Sequence, residues 1–241
     1  RLLMLGLAII SIAAVVGTAA RTGLIALAFL AFCYIFQFKN KILWTILLTV
    51  IIGIGASLNL EGTRWGQRMS TISTYEQESS AAGRIAVWKW TVEYVRTHPM
   101  GAGFDGYKLN NIRTVDSNGN VEYYPPSAGF GLGKAYHSIY FEVLGEHGFV
   151  GFILYYAIML LTYFQLGAIS RAAKKREELE WLRDLASKIR LAQMVMLVCG
   201  LFIGIAFQPA MFYLVAATVS LKALLKGQSS KALGWSYNAK T

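Results

Sequence analysis

The residues of this chain best suited to chemistry are two arginines, Arg21 and Arg84, and a histidine, His137. A guanidinium presents a planar fork of donors that matches phosphate oxygens, and two of them can hold a diphosphate through charge-assisted hydrogen bonds. An imidazole, with an ordinary pKa of about 6.5, can take a proton from a nucleophile near neutral pH. Together they suit transfer of a group away from a diphosphate, with no metal required. Arg84 lies in Gly83-Arg84-Ile85-Ala86-Val87-Trp88, one helical turn from Trp88. His137 lies in Tyr136-His137-Ser138-Ile139-Tyr140, just ahead of an apolar helical stretch. Trp88, Tyr136 and Tyr140 are candidate walls for sugar rings or acyl chains, although aromatic residues also gather at membrane interfaces without any substrate. Taken singly, Arg21 reads as an interfacial anchor and Arg84 as half of a surface ion pair. Asp105, Glu142 and Glu146 read first as solvated carboxylates, with orientation of His137 or contact with acceptor sugars as their alternatives.

Other strings lead nowhere. Gly101-x-Gly103-x-x-Gly106 fits a dinucleotide fingerprint as text, but His98-Pro99 precedes it where a strand is needed. Gly133-Lys134 lacks the first glycine of a phosphate-binding P-loop, with Ala128 there, and has Ala135 in place of the hydroxyl residue. His98, His137 and His147 show no helical pair with metal-ligand spacing, so the sequence gives no metal site and no cofactor. Cys33 and Cys199 lie in apolar runs and read as small buried hydrophobes.

The elements that must position Arg21, Arg84 and His137 follow from composition. Of 241 residues, 55% are hydrophobic and only 15% charged, against about 25% charged in soluble chains. Mean hydropathy is +0.45. The reading is an all-α integral membrane protein of about six transmembrane helices, at 2–19, 22–38, 42–59, 148–168, 190–207 and 210–225. Arg21 marks the turn of the first pair and Gln208-Pro209 that of the last. The chain divides into three spans in 1–59, a long loop in 60–147, three spans in 148–226 with a basic connection at 169–189, and a tail at 227–241. The basic residues of the short connections fall on one face and carry the whole net charge of +10. The positive-inside rule makes that face cytoplasmic. Nucleic acid is then not needed to explain the charge, and anionic lipid headgroups are the natural partners of the basic segments.

The long loop on the outer face is far longer than a connection requires and too aromatic to be a solvated linker. It predicts one amphipathic helix over 82–97 and a hairpin around Asn118-Gly119. Arginines at the outer ends of spans sit at headgroup level, where the leaving group of a sugar joined through diphosphate to a membrane lipid would also lie.

The ordered set Gly83-Arg84-x-x-x-Trp88, Pro99-Met100-Gly101-Ala102-Gly103-Phe104, His137-Ser138-x-Tyr140 and Glu146-His147-Gly148-Phe149-Val150-Gly151 resembles the O-antigen ligase superfamily. Ala20-Arg21-Thr22 stands where that family usually has Ser-Arg-Gly at an earlier periplasmic turn. The stretch from Arg68 to Gln77 leading into Arg84 is similar to the exosortase-associated O-glycosylation ligase branch. The resemblance covers essentially the whole chain, and because members carry further spans before these, the chain looks like a C-terminal half. It implies a GT-C-like membrane fold in the bacterial inner membrane, multi-pass, with the site in the periplasmic loop. It also implies an inverting, metal-independent glycosyltransferase that moves a glycan from undecaprenyl diphosphate to an acceptor hydroxyl, on lipid A-core or on protein Ser/Thr. Arg21 and Arg84 would bind the diphosphate and His137 would activate the acceptor.

Two other classes compete. A flippase or transporter for the same lipid-linked glycan predicts polar sites at membrane depth, and the expected spans carry no Asp, Glu, His or Lys near their middles. A non-catalytic scaffold of a glycan assembly complex would tolerate loss of His137.

Overall fold

The computed structural model describes residues 2–18, 21–35, 79–110, 112–115, 121–124, 133–174 and 176–232. In chain order the helices are α1 (Leu2–Gly17), α2 (Arg21–Ile35), α3 (Ser79–Thr97), α4 (Ile139–Ala173), α5 (Glu180–Cys199) and α6 (Pro209–Ala232). Short 3-10 turns occupy Gly106–Leu109 and Glu177–Leu179. The chain is mostly helical, but a small antiparallel pair, β1 (Ile112–Val115) and β2 (Val121–Tyr124), modifies the all-α expectation. Val115 pairs with Val121, so the strands bracket Asn118-Gly119, flanked as a hairpin should be by β-branched and aromatic residues.

The spine is α4. Its residues beyond Gly148 reach about 38 Å at 1.5 Å per residue, more than the roughly 30 Å of a bilayer core. Ile153, Leu154, Leu160, Leu161 and Phe164 are exposed along it, while Tyr155, Met159 and Leu166 are buried. A helix that is apolar on its open face as well as its packed face suits a hydrocarbon solvent. Within the described residues, α4 and the Pro209–Gly227 part of α6 are long and apolar enough to cross a membrane, and Thr22–Cys33 is a shorter apolar helix. The expected span at 42–59, the loop residues 60–78 and the tail from 233 onward lie outside the described residues.

The expected span at 190–207 is different. Helix α5 stops at Cys199, and residues 200–208 are non-helical up to Pro209, which opens α6. That segment is stitched to the start of α4. Gly200 accepts the Ile139 N–H at 2.8 Å, and the Ala206 N–H donates to Glu142 Oε2 at 2.9 Å. The Tyr155 hydroxyl in turn donates to the Ala206 carbonyl at 2.7 Å. Backbone groups that a continuous helix would satisfy internally are thus satisfied across elements.

Among the described residues three apolar clusters hold the elements. Leu166, Ile169, Leu179, Leu182 and Leu221 join α4, α5 and α6 at one end. Ile139, Val143, Met159 and Met211 join α4 and α6 nearer the loop. Val87, Ile112 and Tyr136 pin α3 and β1 to the approach to α4. Helix α2 packs on α5.

Candidate functional site

Gly83, Val87, Thr91 and Val95 recur every fourth residue on α3 and are all buried, so this face seats the helix. Arg84 and Trp88 occupy the next positions and are half-buried at its margin. The Trp88 indole N–H donates to the Tyr136 carbonyl at 2.8 Å, and its ring stacks on Phe141 at 4.8 Å with 5° between planes. Tyr136 is only 2% exposed. A side chain at Gly145 would collide with its ring, so that glycine opens the slot the tyrosine fills.

His137 sits between buried Tyr136 and buried Ser138 in the left-handed region, at φ 49°. For a residue with a Cβ this conformation costs about 1–2 kcal/mol and persists only where the surroundings fix it. They do so here: Trp88 holds the preceding carbonyl and Gly200 holds the N–H of Ile139. Partial desolvation first, then the positive charges of Arg84 and Lys134, lower the His137 pKa from 6.5. The imidazole is therefore neutral at neutral pH and able to accept a proton.

Lys134 is the residue that the sequence concealed. Its backbone N–H donates to Asn110 Oδ1 at 2.9 Å, and Asn110 Nδ2 donates back to its carbonyl at 2.8 Å. Asn110 itself is 1% exposed. The clasp lays the lysine side chain over Gly83, where a methyl group would collide with Cε and stand 2.6 Å from Nζ. A cation next to Arg84 and acting on His137 results. The position of Lys134 three residues before His137 is the signal the sequence offers for it. Among the described residues Arg84 Nε is buried with no hydrogen-bond partner.

The other candidates are placed as follows. Arg21 is the first residue of α2, and its side chain lies outside the described part. The Tyr140 hydroxyl donates to the Leu197 carbonyl at 3.1 Å and its ring stacks on Tyr156, tying α4 to α5. Glu142 and Glu146 are not the solvated carboxylates anticipated: each accepts a backbone N–H, from Ala206 and Asp105 respectively, and Glu146 is 6% exposed. Asp105 is exposed and pairs with Lys108. The histidines have separate surroundings. His98 stacks on Tyr94, and His147 lies among Phe104 and Phe207. Among the described residues no three His, Cys, Asp or Glu side chains converge as a metal site would require.

The glycine string has a structural explanation. Gly148 adopts φ 61° and ψ −163° and kinks α4, releasing the carbonyls of Gly145 and Glu146 and the N–H of Phe149. The Ala102 and Gly103 N–H groups donate to those carbonyls at 2.9 and 2.8 Å, and Phe149 donates to Pro99 O at 2.9 Å. Residues 99–103 are thus a strap that repairs the kink. Gly101 and Gly103, at φ 78° and 79°, let the backbone lie that close.

Comparisons with curated proteins and with solved structures return no match. The family model for O-antigen ligase matches residues 6–156, which include the α3 cluster, the strap and His137. The chain therefore belongs to the O-antigen ligase family, whose ligase- or polymerase-type function acts on lipid-linked glycan in a membrane.

Proposed function

We propose that this protein is an inverting, metal-independent glycosyltransferase that moves a glycan from undecaprenyl diphosphate to an acceptor hydroxyl at the periplasmic face of the inner membrane. The acceptor is lipid A-core or a protein Ser/Thr. In this reading Arg84, Lys134 and Arg21 hold the diphosphate, and His137 is the general base. The acceptor oxygen attacks the anomeric carbon from the face opposite the diphosphate. The bond from that carbon to the diphosphate oxygen breaks, and its electron pair leaves with the diphosphate. The hydroxyl proton passes to the neutral His137 imidazole. Cations fixed near the leaving group stabilise charge that grows in the transition state. Trp88, Tyr136 and Tyr140, each engaged inside the protein, serve as positioning residues for the His137 junction.

The observation that carries this reading is the grouping of Arg84 and Lys134 with a histidine whose pKa is lowered by partial desolvation and, beyond that, by their charges. Both cations favour a bound diphosphate and an unprotonated base at once. The test is glycan transfer by the protein in lipid nanodiscs containing EDTA, with lipid A-core or a Ser/Thr peptide as acceptor and His137→Ala alongside. Transfer by the wild type alone is expected. Equal turnover by the variant overturns the role of His137, and donor binding by both proteins without transfer favours the flippase or scaffold.

A further inference from the structure

We propose that Arg171 and Arg190 form a second anion site, specific for the phosphate of a membrane lipid, at the end of α4 remote from His137. Arg171 is on α4, one turn beyond Gly167, and Arg190 reaches the same point from α5. A Cβ placed on Gly167 would lie 3.2 Å from Arg190 Nη1 and 3.4 Å from Arg171 Nη1, so both guanidinium tips converge over that glycine. Two cations brought together repel unless an anion joins them.

No carboxylate among the described residues does so. Three acids of the neighbouring connection belong to other arginines: Glu178 pairs with Arg176 at 2.9 Å, and Glu180 and Asp184 both pair with Arg183 at 2.9 Å. Arg190 Nε is buried with no hydrogen-bond partner, and the guanidinium lies 4.0 Å from the centroid of the Tyr163 ring. That stacking fixes the plane of the fork while leaving its donors directed elsewhere.

The surroundings select a lipid. Exposed Leu160, Leu161 and Phe164 precede the pair on α4 and offer a path for acyl chains. Gly167 lies 19 residues beyond the Gly148 kink, about 29 Å along the helix, close to the thickness of a bilayer core. A pair of arginines one bilayer away from the kink stands at the opposite interface, where phospholipid phosphates are.

The experiment uses the full chain in detergent, with thermal melting and intact-complex mass spectrometry after addition of phosphatidylglycerol, phosphatidylcholine or inorganic phosphate. Phosphatidylglycerol is expected to be retained and to raise the melting temperature more than phosphatidylcholine. Arg171→Gln, a change at an exposed position, should reduce that retention several-fold, and Arg171→Gln with Arg190→Gln should abolish it. Lys188→Gln removes the same charge elsewhere on α5 and should not. Unchanged retention in the double variant, or equal loss in Lys188→Gln, overturns the site. Equal stabilisation by inorganic phosphate at millimolar concentration overturns the lipid as its source.

Discussion

Cationic side chains are gathered at both ends of α4, and the two ends differ in what surrounds them. At the loop end the charges of Arg84 and Lys134 act on His137, whose backbone is held in a left-handed conformation by Trp88 and Gly200. At the far end Arg171 and Arg190 meet over Gly167 beside an aromatic ring, with no histidine described in that cluster. Paired cations suit phosphate at either end. In the proposed reaction, turning binding into transfer takes a proton acceptor whose position is fixed and whose neutral form is favoured by partial desolvation and then by the same cations.

The sharpest way to break this contrast is His137→Asn. Asparagine tolerates the left-handed region but cannot take the proton, so transfer should fall about 10²–10⁴-fold with the melting temperature preserved. A variant that melts much earlier would make the residue structural.

Next in size is Gly148→Ala. An alanine there meets a left-handed φ and collides with the Pro99 carbonyl, so the strap must detach. A loss of about 2 kcal/mol or more is expected, read as a lower melting temperature. Gly227→Ala, with nothing within 4 Å of the added methyl, should be neutral or slightly stabilising.

Arg84→Lys keeps the charge and loses the fork. It should lower kcat/KM for the lipid-diphosphate donor about tenfold, the equivalent of roughly 1.4 kcal/mol. Equal values for the two proteins would remove the diphosphate from this end.

The smallest effect is in the pH profile. His137 must be neutral to act, and its pKa is lowered from 6.5, so the rate is fully present above that pH and lost as pH falls through the lowered value. Lys134→Gln removes one of the charges that lower it and should move the acidic limb of kcat/KM to higher pH. A limb that stays in place would separate Lys134 from the base.

The membrane character, α3 and the hairpin were legible locally. Apolar length and helical spacing act within a few turns, and Asn118-Gly119 between β-branched and aromatic residues encodes its own reversal. The candidate arginine and histidine were also readable, because their types limit the chemistry they can do. The break in the expected 190–207 span is not legible locally, since a run of apolar residues does not show that Gly200 must turn its carbonyl to Ile139. Even so, what sequence decided by itself is the solvent, the elements and the residue types, all set by short-range preference.

Tertiary structure decided the rest. Lys134 becomes part of the cluster only through its clasp with Asn110, 24 residues away, and through the bare backbone of Gly83. Glu146 exchanges solvent for an N–H from a residue 41 positions earlier. The left-handed backbone of His137 is imposed by partners on α3 and at the end of α5. Each depends on groups far apart in the chain meeting at hydrogen-bond distance, and only packing of whole helices and the kink strap fixes those separations.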